Sequence, residues 1–470
     1  MTDVVIIGGG PGGYEAALVG SQLGGRVTLI ERRGLGGSAV LTDVVPSKTL
    51  IATAEVMTTL RGAEKLGLRL GDRSIDLADA FSVDLAAVND RVMRLASAQS
   101  ADIHDRLAAE NVRLIEGTGR LDGTEHVIAA TDEGEERLSA DIILVATGTV
   151  PRELPAARPD GKRILNWTQL YDLRELPQRL IVVGSGVTGA EFASAYNALG
   201  VDVVLVSSRH QVLPGEDEEA GRLLQDVFER SGMTILSKSR AQSATVVGDE
   251  VVVQLADGRS VTGSHCLMAV GSIPNTRDIG LVEAGVQLND GGYITVDKVS
   301  RTNSRGVYAA GDCTGVLALA SVAAMQGRIA MWHALGDAVA PLNLRTVCAN
   351  VFTAPEIATV GVSQAEVDAG LVKALAVMLP LHTNARAKMR GITDGFIKVF
   401  CLPTTGIIVG GVVVAPIASE LIEGLSLCVR EKLTVDQLAQ TFTVYPSLSG
   451  SVAEAARRLH GHSAEQIVSY

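Results

Sequence analysis

The 470-residue sequence has few aromatic residues, no excess of basic charge and no long apolar run, and these shortages exclude several classes of protein. No apolar run reaches the roughly 18 residues that a membrane-spanning helix needs. The net charge of −12 argues against non-specific nucleic-acid binding, which requires a basic surface. We therefore expect neither a membrane span nor a nucleic-acid partner.

Cysteines with the spacing of a metal knuckle or a C-x-x-C motif are also missing. The five cysteines are Cys266, Cys313, Cys348, Cys401 and Cys428. Their scattered, mostly apolar surroundings predict reduced, buried thiols of a cytosolic protein. The first apolar run begins at Val4, without the charged leader and cleavage site of a secreted protein. We expect a soluble, cytoplasmic protein with no metal site.

The chain does contain 50 glycines and 47% hydrophobic residues. This composition is typical of a globular protein, and the glycines suggest many tight turns and binding sites made by the backbone. A chain of this length can form two to four domains around a large buried core.

A glycine-rich loop follows a short apolar run near the start of the chain. Residues 4–7 lead into Gly8-Gly9-Gly10-Pro11-Gly12-Gly13, which fits G-x-G-x-x-G between a buried strand and a helix. In that pattern the helix N-terminus faces a pyrophosphate. The next apolar run, residues 26–30, ends on Glu31, near the spacing of a carboxylate that binds a ribose hydroxyl. For one such motif alone, a purely structural turn is the alternative.

The motif recurs at an offset of 176 residues. Another apolar run, residues 180–183, leads into Gly184-Ser185-Gly186-Val187-Thr188-Gly189, and the same offset carries Glu15 onto Glu191. Two dinucleotide-binding motifs in one chain are far more specific than one.

The second motif lacks the acidic partner of the first. At the same offset Glu31 maps onto Ser207, which is followed by Ser208 and Arg209. A carboxylate there would favour the free 2′-hydroxyl of NAD, whereas a guanidinium can pair with the 2′-phosphate of NADP. We expect the second site to accept NADPH, with NADH also possible, and to prefer NADPH. An ordinary solvated arginine is the alternative.

Three further apolar runs end in glycine turns. Residues 142–145 run into Ala146-Thr147-Gly148, residues 267–268 run towards Gly271, and residues 307–310 run into Gly311-Asp312. A helical stretch from about Ser47 to Glu110 has no counterpart in the second half, and residues 84–109 within it have the apolar spacing of an amphipathic helix.

Prolines mark linkers between the two halves, and the composition changes to strand-like alternation after Thr346. The sequence predicts an α/β fold with two Rossmann-like dinucleotide-binding domains and a C-terminal α+β domain. We predict boundaries of 1–150 with 276–344 for the first domain, 151–275 for the second and 345–470 for the third.

Residues 35–48 read Leu-Gly-Gly-Ser-Ala-Val-Leu-Thr-Asp-Val-Val-Pro-Ser-Lys. This stretch resembles the redox-active segment of the flavoprotein disulfide reductases, in which Leu-Gly-Gly-Thr-Cys and Cys-Ile-Pro-Ser-Lys are joined by four residues. Here the frame is intact, but Ala39 and Val44 occupy the two cysteine positions. We call residues 35–48 the modified redox segment.

The resemblance extends to the C-terminus. Residues 352–361, 384–387 and 395–398 are similar to the family's dimerisation domain, which implies a homodimer whose partner completes each active site. The family ends with His-Pro-Thr-x-x-Glu, but the matching positions here begin at Tyr445 and end at Gly450. Since tyrosine has an unperturbed pKa near 10, it cannot serve a thiol as imidazole does at neutral pH.

Thiol–disulfide exchange needs a nucleophile, a leaving group and an acid–base group, and all are missing from the matching positions. The resemblance still implies FAD, with Asp312 on its ribityl chain and a Lys48–Glu191 pair beside its reactive nitrogen. With no disulfide, the pocket beside Ala39, Val44 and the partner's Tyr445 would suit a planar apolar acceptor.

The chain is therefore similar to the branch of the family that lacks redox cysteines and reduces quinones with NAD(P)H. Two alternatives are a soluble pyridine nucleotide transhydrogenase, although that branch keeps the His-Pro-Thr ending, and a flavin-binding sensor with poor turnover. The intact glycine loops and Asp312 argue against the sensor.

The glycine motifs and the resemblance together give the predicted site. The predicted catalytic residues are Lys48, Glu191 and Tyr445. The predicted cofactor-binding residues are Gly8, Gly10, Pro11, Gly12, Gly13, Glu31, Gly37, Ser38, Lys48, Ala146, Thr147, Gly148, Gly184, Gly186, Val187, Thr188, Gly189, Glu191, Ser208, Arg209, Gly271, Gly311 and Asp312.

Overall fold

A computed structural model describes residues 1–68 and 81–460 of the chain. Part of the predicted helical stretch from Ser47 to Glu110, residues 69–80, lies outside the described residues. So do residues 461–470, at the end of the predicted third domain.

The N-terminal part of the chain supplies four strands of a five-stranded parallel sheet and the helices next to it. Its elements are β1 (Asp3–Ile7), α1 (Pro11–Gln22), β2 (Arg26–Glu31), α2 (Gly37–Leu41), α3 (Val44–Gly62), α4 (Leu85–Ala109), β3 (Arg113–Glu116), β4 (Thr118–Leu121), β5 (His126–Thr131), β6 (Gly134–Ser139), β7 (Ile142–Val145) and β8 (Thr149–Pro151). The amphipathic helix predicted at 84–109 is confirmed, since α4 begins at Leu85 and Asp84 caps it by accepting a hydrogen bond from the Ala87 amide.

The middle of the chain repeats this plan. Its elements are β9 (Ile164–Leu165), β10 (Arg179–Val183), α5 (Val187–Ala198), β11 (Asp202–Val206), α6 (Glu218–Arg230), β12 (Thr234–Leu236), β13 (Ala241–Val247), β14 (Glu250–Leu255), β15 (Ser260–Gly263), β16 (His265–Met268) and β17 (Ser272–Pro274). The chain then returns to the first sheet through β18 (Val307–Ala309) and α7 (Ala320–Ala334).

The two parallel sheets have matching strand orders. The first runs β18-β7-β1-β2-β3 and the second runs β9-β16-β10-β11-β12. In each, a glycine loop follows the central strand, β1 or β10, and a three-stranded antiparallel sheet (β4–β6 or β13–β15) is added. This order confirms the predicted pair of Rossmann-like folds, in which ligands bind at the carboxyl ends of the central strands.

The C-terminal part is an antiparallel sheet with helices on it. Its elements are β19 (Cys348–Val351), β20 (Glu356–Gly361), α8 (Gln364–Asp368), β21 (Leu375–Pro380), α9 (Ala385–Met389), β22 (Phe396–Cys401), β23 (Ile408–Ala415), α10 (Ala418–Glu431), α11 (Val435–Ala439) and α12 (Gly450–Leu459). The strand order is β19-β20-β23-β22-β21. The predicted α/β class with a C-terminal α+β unit is confirmed, while the exact domain boundaries stay predictions.

The prediction of buried thiols was right for four cysteines and wrong for Cys348. Cys348 begins β19, which lies at the edge of its sheet and pairs only with β20. An edge strand leaves one flank without a neighbour, so this thiol is exposed. All five thiols are free.

A buried ion pair joins the second and third parts of the chain. Lys398 on β22 is 2% exposed, and its Nζ lies 2.7 Å from Oδ2 of Asp217. Asp217 also caps α6, because its Oδ1 accepts hydrogen bonds from the amides of Glu219 and Ala220. Lys398 also contacts the half-exposed carboxylate of Glu219. Removing Lys398 would leave the buried Asp217 without its cation, at a cost of about 3–5 kcal/mol.

Within residues 1–68 and 81–460, no helix has both the length and the apolar character to cross a membrane. The same residues contain no group of three or more His, Cys, Asp or Glu side chains arranged to hold a metal ion.

Candidate functional site

The first glycine loop is closely packed at both ends. Gly8 has a φ of +103°, and a Cβ atom there would lie 2.3 Å from the carbonyl oxygen of Ala146. A Cβ atom at Gly13 would lie 1.8 Å from the carbonyl oxygen of Gly8. Both positions therefore require glycine so that strand β1, helix α1 and the Ala146 turn can meet.

The middle glycine of this loop faces open space. A Cβ atom at Gly10 would meet nothing within 4 Å, and its φ of −69° is one that any residue can adopt. Gly10 also precedes the first residue of α1, whose free amides favour an anion. The missing side chain thus leaves room for a phosphate against the backbone.

The second loop has the same geometry. Gly184 has a φ of +112°, and its Cβ would lie 2.1 Å from the carbonyl oxygen of Ala269. The Cβ of Gly189 would lie 1.9 Å from the carbonyl oxygen of Gly184, and that of Gly186 would again meet nothing within 4 Å. The chain therefore has two equivalent openings for a phosphate, one at the start of α1 and one at the start of α5.

Glu31 ends β2 and Ser207 follows β11. They differ in charge, but each is hydrogen-bonded to the corresponding residues of its own unit. The Glu31 carboxylate accepts hydrogen bonds of 2.7 Å from the amides of Gly9 and Arg33. In the second unit the Ser207 hydroxyl is hydrogen-bonded to the Ser185 hydroxyl at 2.7 Å and accepts from the Arg209 amide at 3.1 Å. Each of these partners lies 176 residues after its counterpart, so Ser207 keeps the loop connected without a negative charge.

A cavity of about 1050 Å³ runs along the carboxyl edge of the first sheet. This volume is at the upper end of the roughly 300–1,000 Å³ of small-molecule sites. The predicted site residues that line it are Gly8, Gly10, Pro11, Gly12, Glu31, Gly37, Ser38, Ala146, Thr147, Gly148, Gly311 and Asp312. The first motif, the modified redox segment and the Gly311-Asp312 turn are thereby brought together.

The modified redox segment forms one wall of this cavity. It lies against the first glycine loop, because the Gly36 amide donates to the Gly9 carbonyl at 2.8 Å and a Cβ at Gly37 would lie 2.9 Å from Gly10 Cα. Ala39 on α2 and Val44 at the start of α3 both line the cavity. The positions of the missing cysteines therefore face the same space as the glycine loop.

Lys48 and Glu191 form an ion pair just outside the cavity lining. The Lys48 Nζ lies 2.7 Å from Oε2 of Glu191, which is 4% exposed. The other carboxylate oxygen of Glu191 accepts from the Phe352 amide at 2.9 Å, and the Lys48 Nζ lies 4.9 Å from the centre of the Phe352 ring. This contact joins α3, α5 and the chain just after β19.

Asp312 lines the same cavity as the modified redox segment. Burial raises the pKa of its carboxyl, and the Thr149 hydroxyl, 3.5 Å away, opposes that shift. The preceding Gly311 has a φ of +83°, and its amide donates to the Gln326 side chain at 2.9 Å. Helix α7 thus supports the Gly311-Asp312 turn, and Asp312 lines the cavity.

Asp43 is a cavity-lining carboxylate that the motif comparison missed. It stands immediately before Val44, and burial raises its pKa to about 6, with further raising by Glu191 and Asp312 and lowering by Lys48. The family pattern specifies no residue type at the four positions between the two cysteines, so it does not predict a role for Asp43, although a carboxylate inside the segment is a signal in itself.

The remaining predicted residues lie outside the cavity. Gly13 packs behind the first loop, and the second motif with Gly184, Gly186, Val187, Thr188, Gly189 and Gly271 belongs to the other parallel sheet. Ser208 and Arg209 are exposed beside that motif. Tyr445 is 85% exposed and does not line the cavity of its own chain. Its neighbours Phe442 and Val444 are exposed too.

The chain matches known proteins along most of its length. The family described as pyridine nucleotide-disulphide oxidoreductase matches residues 2–327, and its dimerisation domain matches residues 347–456. A protein named NAD(P)H dehydrogenase (quinone) from Mycobacterium tuberculosis H37Rv is 55% identical, covering 98% of this chain and 94% of its own. A dihydrolipoyl dehydrogenase from Zymomonas mobilis is 34% identical over 98% of both chains.

A solved structure is also similar to this chain along most of its length. The crystal structure of LpdA from Mycobacterium tuberculosis superimposes with a TM-score of 0.92 at 53% identity, covering 98% of this chain and all of the other.

The open position at Gly10 gives a test of this site. We expect Gly10→Ala to fold normally but to lower the affinity for FAD roughly tenfold or more, since a methyl group would occupy the space left for a phosphate. Flavin titration of the apoprotein, followed by fluorescence, measures the affinity. Gly62→Ala is the matched control, because its Cβ also meets nothing within 4 Å. Equal FAD affinity in Gly10→Ala and the control would contradict the assignment.

Proposed function

The chain belongs to the family of pyridine nucleotide-disulphide oxidoreductases, and we propose that it is an FAD-dependent NAD(P)H:quinone oxidoreductase. The name of the 55% identical mycobacterial relative supports this activity. The proposal depends above all on one observation. The cavity expected to hold the flavin is intact, while Ala39 and Val44 stand in its wall at the two cysteine positions.

The described residues fit FAD. Gly10 leaves space for a pyrophosphate at the start of α1. Glu31 and Asp312 line the same cavity, and we propose that they bind a ribose hydroxyl and the ribityl chain, respectively. When bound, FAD accepts a hydride from NAD(P)H and passes two electrons to an acceptor. The chain's own residues bind the two cofactors, orient them and exclude water.

No other cysteine takes over the role of the missing pair. Cys313 is next to Asp312, but it is fully buried, its Sγ contacts the carbonyl oxygens of Val145 and Ala310, and burial raises its pKa to about 11. A thiol with that pKa is not a thiolate at neutral pH. None of the described cavity-lining residues is a cysteine. Disulfides are therefore excluded as turnover substrates.

The part of the cavity wall that contains Ala39 and Val44 instead of cysteines suits a planar, apolar acceptor. Ala39 and Val44 offer small apolar surfaces, and quinones are planar acceptors that take up two electrons without a protein thiol. We propose that Tyr445 of the partner subunit closes this pocket in a homodimer. The match to the dimerisation domain and the high exposure of Phe442, Val444 and Tyr445 support that arrangement. Five free thiols fit a cytoplasmic location.

Lys48 is the residue we propose to act on the flavin directly. Its ammonium would stabilise negative charge that develops on the reduced ring, and Glu191 offsets the desolvation of that ammonium. The amide of Phe352 holds Glu191 from the other side, so the pair has little freedom to move.

The second motif is the proposed NAD(P)H site, with a preference for NADPH. Ser207 carries no negative charge that would repel a 2′-phosphate, and the exposed Arg209 follows two residues later. Because the Ser207 hydroxyl accepts from the Arg209 amide, the backbone of this arginine is fixed beside the loop. A guanidinium in that position can bind a phosphate.

The direct test is steady-state oxidation of NADPH with menadione or benzoquinone as acceptor, compared with lipoamide, thio-NAD and oxygen alone. We expect rapid turnover with the quinones and none with lipoamide. Transfer only to thio-NAD would instead indicate a transhydrogenase. Flavin reduction without turnover on any acceptor would indicate a flavin-binding sensor.

Replacing Lys48 should slow the transfer of hydride to the flavin. We expect Lys48→Ala to reduce the rate of flavin reduction by NADPH on the order of 100-fold while FAD remains bound, since a charge-stabilising group is lost. Stopped-flow absorbance of the flavin measures the rate. Because Lys48→Ala leaves Glu191 unpaired, the double variant Lys48→Ala/Glu191→Gln is the control for folding. An unchanged rate in both variants would remove Lys48 from the mechanism.

Replacing Arg209 should weaken NADPH more than NADH. We expect Arg209→Ala to raise the KM for NADPH roughly tenfold, since one charged hydrogen bond contributes about 1.5–3 kcal/mol, and to leave NADH almost unchanged. Arg179→Ala is the control, because Arg179 starts β10 at the opposite end of the same sheet. Equal losses for the two nucleotides would exclude a role in binding the 2′-phosphate.

A further inference from the structure

The carboxylate of Asp43 lies in the cavity wall, within the modified redox segment. Asp43 lies between the positions of the two missing cysteines, Ala39 and Val44, and all three residues line the same cavity. The backbone around it is fixed, because its amide donates to the Ser38 carbonyl and its carbonyl accepts from the Ser47 amide, both at 2.8 Å. Asp43 precedes α3, but its side chain does not cap that helix. The carboxylate is therefore not committed to a structural role at the helix start.

The charged and polar groups around Asp43 come from four parts of the chain. Lys48 is on the same helix that Asp43 precedes, Glu191 is on α5 and Asp312 follows β18. Asp43 also raises the pKa of Tyr171, whose buried hydroxyl has no hydrogen-bond partner among the described residues. Lys48 is already paired with Glu191 at 2.7 Å, so its charge is shared between two carboxylates.

These surroundings keep Asp43 close to its point of ionisation. Burial is the largest effect and raises its pKa to about 6 against the opposing effect of Lys48. An unperturbed aspartate has a pKa near 4 and carries almost no proton at neutral pH. Asp43 can therefore hold and release a proton in the range in which the enzyme works.

The reaction needs such a group. Reduction of a quinone to a hydroquinone takes up one hydride and one proton, whereas NAD(P)H supplies only the hydride. In the disulfide reductases a histidine near the C-terminus handles protons, but Tyr445 occupies that position here. Of the other carboxylates that line the cavity, Glu31 accepts from two amides and Asp312 lies near the Thr149 hydroxyl. The third, Asp290, is exposed to solvent.

We propose that the carboxyl group of Asp43 donates the proton that the quinone takes up. This inference rests on the proposed function, because it concerns the same acceptor pocket. In each turnover the hydride of NAD(P)H reaches the quinone by way of the flavin, and the Asp43 O–H bond breaks as the new hydroquinone O–H bond forms. The Asp43 carboxylate then regains a proton from water. The sum is one NAD(P)H, one proton and one quinone giving NAD(P)⁺ and hydroquinone.

The proposal predicts a pH dependence for one half of the reaction only. Because the protonated acid is the active form, reoxidation of reduced enzyme by menadione should slow as pH rises through the pKa of Asp43. Reduction of the flavin by NADPH should lack this inflexion, since it requires no proton from Asp43.

The test compares wild-type enzyme with Asp43→Asn, which keeps the size of the side chain and removes the acid. Stopped-flow reoxidation by menadione is measured across roughly pH 5 to 9, a range that brackets the ionisation. We expect Asp43→Asn to be slower on the order of 100-fold at low pH, the usual effect of a lost general acid, and to lose the inflexion. Asp102→Asn, which makes the same change at an exposed acid on α4, should behave as wild type.

A second measurement does not depend on turnover. The visible absorption spectrum of the oxidised holoenzyme is titrated over the same pH range in both proteins. We expect a spectral change in wild type, with the inflexion seen in the kinetics, that is absent from Asp43→Asn. Bound FAD, measured from the same spectra, shows whether the variant folds.

The two hypotheses fail in different ways. If wild-type enzyme does not reduce menadione at all, the proposed function is wrong, and the spectral titration alone decides whether Asp43 ionises beside the flavin. If wild type reduces menadione and Asp43→Asn keeps both the rate and the inflexion, the assignment of Asp43 is overturned while the proposed function stands.

Discussion

The ion pair between Lys48 and Glu191 is a partly buried contact that connects all three parts of the chain. It brings α3 of the first unit against α5 of the second, and the Phe352 amide attaches the third part to the same carboxylate. A neighbouring hydrogen bond, from the Ala354 amide to the Ser194 hydroxyl, repeats the connection. Because Glu191 is almost fully buried, its charge requires both partners. The place where the two cofactors are expected to meet is thus also the place where the chain's three units are joined.

The repeated glycine loops show how one fold can hold two nucleotides in different ways. Both loops have the same close contacts at their first and third glycines and the same open position at the second. They differ at the following strand end, where a carboxylate that accepts from two amides in one unit is replaced by a hydroxyl in the other. That hydroxyl bonds to one amide and one side chain of the corresponding residues. The charge at this position can therefore differ between the two units without a change in the fold.

Local patterns allowed much of this to be predicted from the sequence. A strand, a glycine loop and a helix lie within a few residues of each other, so the two Rossmann-like units and the Glu31–Ser207 correspondence follow from spacing. The Lys398–Asp217 pair could not be predicted, since its partners are 181 residues apart and meet only after two units pack together. The exposure of Cys348 depends on which strand forms the sheet edge. The ionisation of Asp43 depends on burial and on charges of which two, Glu191 and Asp312, are distant in the sequence. A local sequence pattern predicts neither property.

Four buried thiols and one exposed thiol, none of them at the flavin cavity, leave this enzyme with an unusual chemical resistance. Burial raises the pKa of Cys266, Cys313, Cys401 and Cys428, so these sulfurs react slowly with electrophiles. Arsenicals, alkylating agents and peroxides inactivate disulfide reductases by capturing or over-oxidising a catalytic sulfur. The proposed electron path contains no sulfur, so these reagents have no catalytic target in it. We therefore expect quinone reduction to continue under oxidative conditions that inactivate thiol-dependent relatives.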